Sequence, residues 1–259
     1  MDTYEVDDKK RKRLETILTK RGKVPFSKTK VNLNHLGAKV SDDSANLSHI
    51  KMPVAQEKYM VEPIFPVPVY KTSLFNVYRE EHQEWVSNLE REANNGNDNS
   101  VNKHVLEEEM MLPMKRKIMT HINTYFETVI QPFEEIEPYI TQSWVNWTDK
   151  NHFHTTHRHT NSVISGVVYL HTSPRQPYDM VTFAKNQHND IEIPNAHNNM
   201  FNSNGFNFDV HDMDMLIFPS SLYHGVPPKM TEGTRVSLAF NVFVKGILGH
   251  SQLLNEIKL

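Results

Sequence analysis

The hydrophobic pattern of the chain changes its period near residue 139. Between residues 72 and 132, apolar side chains recur at three- and four-residue steps, the spacing of one helix face. The first helical stripe consists of Phe75, Tyr78, His82, Trp85 and Leu89. The second starts at Pro113, a favourable first-turn position, stops at Pro132 and carries Ile118, Ile122, Tyr125 and Val129. This part of the chain therefore predicts two helices.

From residue 139 to 245 the period is two, as expected for strands. The short runs are rich in β-branched and aromatic residues and are separated by Asn, Pro and Gly clusters. Six or more antiparallel strands preceded by helices predict a mainly β fold with α: a double-stranded β-helix, or cupin-like jelly roll, with helices packed on one sheet. The predicted strands are 139–147, 162–170, 180–184, 206–210, 213–218 and 235–244.

Composition divides the chain into an extension and one domain. Residues 1–60 are polar and basic, so we expect a loosely ordered or helical N-terminal extension. Residues 61–259 are expected to form a single domain with a helical part (72–132) and a β-barrel part (139–245). The basic run 9–13 has no interleaved aromatic residues for base stacking, so we do not expect nucleic-acid binding.

Charge and hydropathy narrow the function classes further. The formal net charge of −3 gives no pull toward nucleic acid or an anionic membrane. The chain shows neither an apolar run of about eighteen residues nor a charged-then-apolar leader. We therefore expect no membrane association and a cytoplasmic location, in a host cell if the gene is carried by a phage.

Histidine is the candidate metal ligand in this chain. The absence of cysteine excludes thiolate sites, and fifteen histidines are available. In a strand, residues i and i+2 project to the same face, so His157 and His159 can aim at one point. His224 follows an apolar strand and a turn, which can bring a third imidazole to the mouth of a barrel. Three imidazoles with open positions favour catalytic iron over closed structural zinc.

Strand alternation near the C-terminus predicts an anion pocket beside the histidines. Arg235, Ser237, Ala239 and Asn241 fall on one face of the last long strand, and the opposite face is apolar. A guanidinium inside a barrel needs an anionic partner, preferably a planar one that it can contact with two nitrogens. No acidic residue shares this face, so we predict a carboxylate ligand held by Arg235 and Ser237.

Three segments carry a resemblance to a known family: 157–170 (HRHTNSVISGVVYL), 218–224 (FPSSLYH) and 233–241 (GTRVSLAFN). They resemble the iron(II)- and 2-oxoglutarate-dependent oxygenases, in particular an uncharacterised branch found in marine bacteria and their phages. The resemblance spans about residues 63–245 and includes Trp144-Val-Asn146.

The resemblance implies a double-stranded β-helix that binds Fe(II), the co-substrate 2-oxoglutarate and O2. His157 and His224 fall on the metal ligands, Arg235 on the residue that pairs with the C5 carboxylate of 2-oxoglutarate, and Ser237 on its hydroxyl companion. Tyr169 and Asn146 are further candidates for binding the co-substrate. The implied activity is that of a dioxygenase, a hydroxylase releasing succinate and CO2. The hydroxylated C–H bond could belong to a peptide or to a small molecule, and the resemblance does not indicate which substrate carries it.

The third ligand departs from the family pattern. The usual motif is His-x-Asp or His-x-Glu, whereas this chain has His159 at the carboxylate position. Three explanations are open: a three-histidine site, a carboxylate supplied from elsewhere such as Asp179 or Asp149, or a degenerate site without chemistry.

Two other functions remain open from the sequence. A cupin-like dioxygenase could use three histidines without 2-oxoglutarate, binding its substrate directly to iron. A non-catalytic jelly roll could serve as a binding or structural module. The sequence does not indicate the oligomeric state.

Overall fold

The computed structural model describes residues 61–133, 135–174, 178–185 and 193–259. The prediction for the extension 1–60 therefore lies outside the described residues.

The larger of two antiparallel sheets contains β1 (Tyr70–Ser73), β2 (Arg91–Ala93), β3 (Asp98–Ser100), β4 (Ile136–Thr148), β6 (Ile164–His171), β9 (Asp214–Pro219) and β11 (Arg235–Leu248), with β12 (Ile257–Lys258) paired to β11. The smaller contains β5 (His154–His157), β7 (Met180–Ala184), β8 (Gly205–Asp209) and β10 (Tyr223–Val226).

The strand order explains how the two sheets enclose a site. In the larger sheet it is β1-β9-β6-β11-β4-β3-β2, so β11 lies in the middle. In the smaller sheet it is β5-β10-β7-β8. An apolar cluster contributed by both sheets, which includes Tyr169, Phe183 and Phe218, fills part of the space between them. The predicted fold class, a jelly roll of mainly β structure with helices, is confirmed.

The helices pack on the outer face of the larger sheet. They are α1 (Glu80–Ser87) and α2 (Leu112–Tyr125); short 3-10 turns (Val105–Glu107, Glu109–Met111) precede α2, and another (Ser251–Leu253) follows β11. Ile118 and Ile122 of α2 are fully buried in one cluster with Leu238 and Phe240 of β11. The outer face of β11 therefore packs against helices, and its inner face is left for the cavity between the sheets.

The first helix is shorter than its stripe predicts. Asn76 has a left-handed backbone (φ 69°), so a helix cannot continue back to Phe75, whose side chain is 70% exposed. Glu80 and Glu81 begin α1 with charges that suit its positive end. Residues 91–100, inside the predicted helical part, form a β-hairpin at the edge of the larger sheet.

The second helix begins close to its predicted first residue. Pro113 lies in its first turn, and Ile118, Ile122 and Tyr125 are buried. It then widens into a π turn, Phe126–Ile130, which changes the angular step per residue. Val129 is consequently 40% exposed rather than on the buried face. No helix in the described ranges is long and apolar enough to cross a membrane.

Glycine at position 166 is required by packing rather than by backbone angle. A Cβ built there would lie 2.2 Å from Cζ of Phe240, its register partner on β11. The phenyl ring of Phe240 occupies the space that a side chain would need. The ring of Phe240 therefore packs directly over the backbone of Gly166.

We expect Gly166→Ala to lower the free energy of unfolding by about 1–3 kcal/mol, because the added methyl group overpacks the core. Urea denaturation measures the change. The same substitution in a Phe240→Leu background should cost less, since the shorter side chain leaves room. Equal costs in the two backgrounds would contradict this explanation.

Candidate metal centre and anion pocket

The smaller sheet places His157 and His224 side by side. His157 ends β5 and is the register partner of His224 on β10. Both side chains line the cavity between the two sheets, which we call the inner cavity; its walls also include Asn146, Tyr169 and Arg235. The ring centroids of His157 and His224 are 4.5 Å apart. Strand pairing alone therefore brings together two imidazoles that are sixty-seven positions apart in the chain.

His159 lies close to His157 and His224, as predicted, but strand alternation is not the reason. Strand β5 ends at His157, so His159 lies beyond it. Its backbone N–H donates to the carbonyl oxygen of Ser220 at 3.0 Å, which fixes the loop against the end of β9. The Nε2 atoms of His157 and His159 are 3.1 Å apart. One ring nitrogen from each of the three histidines lies within 4.8 Å of the other two.

Hydrogen bonds determine which ring nitrogens of the three histidines carry protons. Nδ1 of His157 lies 2.8 Å from the carbonyl oxygen of Thr155, and Nδ1 of His224 lies 2.9 Å from that of Leu222. Nδ1 of His159 lies 2.5 Å from Oδ1 of Asn241. Because these oxygens can only accept, a neutral imidazole at each position carries its proton on Nδ1. The three Nε2 lone pairs are then free to face one another.

Lone pairs in this arrangement fit a divalent cation. Two unprotonated nitrogens at 3.1 Å repel each other unless a positive charge lies between them. Imidazole nitrogens bound to one ion at about 2.0–2.1 Å are about 2.9–3.4 Å apart, for right-angled to tetrahedral coordination. The donor set therefore suits a nitrogen-binding transition metal such as iron, zinc, nickel or copper.

The electrostatic surroundings keep two of the histidines neutral. Burial lowers the pKa of His224 to about 3, with smaller contributions from the neighbouring histidines. Burial also lowers the pKa of His159, although its hydrogen bond with Asn241 acts in the opposite direction. Neutral imidazole is the form that binds metal, so no proton needs to be displaced from these rings near neutral pH.

The two alternative carboxylates are engaged elsewhere. Oδ2 of Asp179 accepts from the backbone N–H of Ser173 at 2.8 Å, and its Oδ1 lies 3.8 Å from Nζ of Lys229. Asp149 accepts from the hydroxyl of Thr234. In the described part of the chain, the one group of histidine and acidic side chains with metal-ligand spacing is the three-histidine group.

The anion pocket lies on the inner face of the larger sheet. Ser237 on β11 is the register partner of Asn146 on β4 and of Tyr169 on β6, so three adjacent strands contribute these side chains. Arg235, two residues before Ser237, is 4% exposed, and its guanidinium carbon lies 6.0 Å from the centre of the Tyr169 ring. All four residues line the inner cavity together with the histidines.

The guanidinium of Arg235 has spare capacity for an anion. Nη1 donates to the carbonyl oxygen of Met180 at 3.2 Å, and Nη2 to the hydroxyl of Thr148 at 3.4 Å. Nε has no hydrogen-bond partner among the described residues, and the buried Oδ1 of Asn146 likewise has none. Burial lowers the pKa of Arg235. Asp179 raises that pKa, but its carboxylate pairs with Lys229 and not with the guanidinium. A buried cation without a close counter-ion is costly, and a carboxylate ligand would offset that cost.

Three nitrogen-containing side chains of the inner cavity were not predicted as site residues: Asn97, Trp144 and His154. The rings of His154 and His157 are 4.4 Å apart, although strand alternation assigns them to opposite faces. A bulge between the pairs His224–His157 and Val226–His154 shifts the register and turns His154 inward. Trp144 shares strand parity with Asn146 and could have been inferred from it.

A larger groove of about 890 Å³ lies between the helices and is a weaker candidate site. Its charged side chains carry both signs, as in Arg79, Glu81, Glu109 and Arg116. Among the described residues that line it, no group has metal-ligand spacing. The smaller inner cavity is therefore the candidate functional site, because it is where the described residues combine a group with metal-ligand spacing and a buried cation without a close counter-ion.

Several solved structures are similar in overall shape. They include an oxidoreductase of the 2OG-Fe(II) oxygenase family from Burkholderia pseudomallei, with 11% identity, a TM-score of 0.45, and coverage of 67% of this chain and 83% of that one. HygX from Streptomyces hygroscopicus, solved with nickel and 2-oxoglutarate, has 13% identity, a TM-score of 0.46, and coverage of 68% and 82%. A prolyl-4-hydroxylase from Pseudomonas putida has 10% identity, a TM-score of 0.44, and coverage of 68% and 92%. At such low values these structures support no conclusion about the chemistry of this chain.

The sequence itself matches a family. No curated protein matches the chain. Residues 142–241 match the sequence model of the family described as "Putative 2OG-Fe(II) oxygenase". This stretch contains all seven predicted site residues, from Asn146 to Ser237, and ends at Asn241. The match covers less than half of the chain, and within that stretch the sequence is that of a 2OG-Fe(II) oxygenase-type enzyme.

Proposed function

We propose that His157, His159 and His224 hold one Fe(II) ion and that the chain is a 2-oxoglutarate-dependent dioxygenase. The observation that carries this proposal is the common orientation of the three rings. Each Nδ1 lies against an oxygen that can only accept, which leaves Nε2 of each neutral ring unprotonated, and one ring nitrogen from each histidine lies within 4.8 Å of the other two. Acceptors that hydrogen-bond to the ring nitrogen facing away from the metal fix the tautomer of metal-binding histidines.

Arg235 and Ser237 are proposed to bind the far carboxylate of 2-oxoglutarate. The guanidinium is buried, has an unpartnered Nε and shares the inner cavity with the histidines. Tyr169 and Asn146 flank Ser237 in the register and are proposed as further co-substrate contacts. Together these residues would hold the co-substrate in one orientation and keep water from its charged end.

We further propose that the reaction is a hydroxylation. When bound, iron and 2-oxoglutarate supply the oxidation: O2 is consumed, one oxygen atom enters a C–H bond of the substrate, and 2-oxoglutarate leaves as succinate and CO2. The chain's own residues bind and orient the co-substrate, and they exclude water. The substrate is proposed to be a peptide or a small molecule that presents a C–H bond to the three histidines.

The direct test uses the full chain under anaerobic conditions. Fe(II) and 2-oxoglutarate are added together, and the visible metal-to-ligand charge-transfer band is measured. Oxygen is then admitted and succinate is quantified. Appearance of the band followed by succinate supports the proposal. Neither band nor succinate after reloading with iron would overturn it, and a non-catalytic jelly roll would then be favoured.

Replacing Arg235 distinguishes the proposed reaction from that of a three-histidine dioxygenase without 2-oxoglutarate. We expect Arg235→Ala to abolish the charge-transfer band at micromolar 2-oxoglutarate while Fe(II) still binds, because the co-substrate loses its charge partner. Arg235→Lys should recover little, since a point charge does not replace a planar fork.

Arg116→Ala, on the distant helix α2, is the matched control and should behave like wild type. The measurement is a titration of the band with 2-oxoglutarate, combined with iron content. Unchanged co-substrate affinity in Arg235→Ala would favour the three-histidine dioxygenase without 2-oxoglutarate.

Replacing His159 tests the unusual third ligand. We expect His159→Ala to weaken Fe(II) binding by 10-fold or more, on the order of the loss typical for disturbed metal coordination. His159→Asp should retain iron but shift the charge-transfer band, because a carboxylate lowers the charge of the site by one. Iron affinity and band position are measured for both variants. Wild-type values for both would mean that His159 is not a ligand.

The low pKa of His224 predicts acid sensitivity of the metal-free protein. An unfolded histidine has a pKa near 6.5, whereas the folded pKa of His224 is about 3. Between these values the unfolded chain binds more protons, so the free energy of unfolding falls as the pH falls. The stabilisation is complete above about pH 6.5, and each such histidine contributes up to about 1.4 kcal/mol per pH unit below it.

Urea denaturation of the metal-free protein between pH 7.5 and 4.5 measures this dependence. The His224→Gln variant, which has no titrating group at that position, should show a shallower slope over the same range. Identical slopes for the variant and wild type would contradict the assigned pKa.

A further inference from the structure

We propose that Asn241 is a positioning residue that fixes His159 as a neutral imidazole protonated on Nδ1. This inference rests on the proposed metal centre and concerns the least usual of its three ligands. Oδ1 of Asn241 lies 2.5 Å from Nδ1 of His159, and the hydroxyl oxygen of Ser165 lies 2.9 Å from the same nitrogen. Neither contact was predicted from the spacing of the histidines.

The proton positions follow from what each partner can donate. The amide oxygen of Asn241 can only accept, so the short contact requires the proton to be on Nδ1 of His159. Ser165 has a single hydroxyl proton and two competing acceptors: Oδ1 of Asn241 at 2.9 Å and Oγ of Ser220 at 2.7 Å. Its proton therefore points away from His159, and Nε2 keeps its lone pair for a metal.

The anchoring residues lie on two adjacent strands inside the larger sheet. Asn241 and Ser165 are register partners on β11 and β6, the two central strands of the larger sheet. The hydroxyl of Ser220 continues the network to Ser162, whose own hydroxyl donates to the carbonyl oxygen of Ile164 at 2.8 Å. His159 lies in a loop, and its ring is thus oriented by hydrogen bonds to side chains on the paired strands β6 and β11.

His159 differs from the other two histidines in the nature of its partner. For His157 and His224 the acceptor is the backbone carbonyl two residues earlier, which no side-chain substitution removes. For His159 the acceptor is a side chain, so its role can be tested by mutation. Because that side chain is a neutral amide, it adds no negative charge behind the ligand, and the three ligands remain uncharged imidazoles.

Two substitutions at position 241 separate orientation from simple packing. Asn241→Leu keeps the branched shape at Cγ but removes the acceptor, and Asn241→Asp keeps an acceptor oxygen at the same place. Asn207→Leu is the matched control, since Oδ1 of Asn207 also accepts one hydrogen bond, from Thr182 at 2.8 Å, but lies on the exposed edge strand β8. Thermal denaturation establishes that each variant is folded.

The first measurement is the dissociation constant of Co(II) alone, without 2-oxoglutarate, for the full chain. We expect Asn241→Leu to bind about 10- to 100-fold more weakly, the usual effect of losing the partner of a metal-binding histidine. Asn207→Leu should bind like wild type, and Asn241→Asp, which keeps the acceptor and adds a negative charge, should bind at least as tightly as wild type. Equal affinity of Asn241→Leu and wild type would overturn the inference. If wild type itself binds no Co(II), the proposed metal centre fails, and the tautomer measurement alone decides the role of Asn241.

The second measurement reads the tautomer directly in metal-free protein. Long-range ¹⁵N–¹H correlation spectra of labelled histidine distinguish protonation on Nδ1 from protonation on Nε2. We expect Nδ1–H for His159 in wild type and in Asn241→Asp, and a mixture of both forms in Asn241→Leu. Protonation of His159 on Nε2 in wild type would mean that the amide presents its NH2 group, and would overturn the inference even if Asn241→Leu failed to fold.

Discussion

The pairing of β5 with β10 is the interaction on which the candidate site depends. It sets His157 directly opposite His224 and turns both rings toward the inner face of the larger sheet. The larger sheet supplies a buried guanidinium from the middle strand β11. Two of the candidate metal ligands and the candidate anion-binding arginine therefore come from different sheets, and the cavity lies between those sheets.

The hydrogen bonds behind the three imidazoles orient the donor atoms. Acceptor oxygens lie against Nδ1 of all three rings, so each ring in its neutral form presents an unprotonated Nε2. The buried Arg235 adds a positive charge without a close carboxylate among the described residues. A divalent cation would raise the positive charge further. Such a cavity favours a ligand with two carboxylates, which agrees with the co-substrate named in the matched family.

Alternation was a reliable guide wherever the strand was long and regular. On β11 it separates Arg235 and Ser237 from Val236 and Leu238, and the structure has the first pair lining the cavity and Leu238 in the core beneath the helices. It was unreliable on β5, a strand of four residues. There a bulge turns His154 inward, and His159 lies beyond the strand end, held by contacts with other strands. Irregular backbone geometry of this kind leaves no periodic signal.

The sequence by itself determined the residue types and the local periods: two helical stripes, a β-rich half, histidines at positions 157, 159 and 224, and an arginine on a polar strand face. These follow from backbone geometry over a few residues. Only the tertiary structure decided which ring nitrogens face one another, that Asn241 is the partner of His159, and that Asp179 is occupied by Ser173 and Lys229. These contacts join residues on separate elements, so they depend on strand register and sheet closure, which no local pattern encodes.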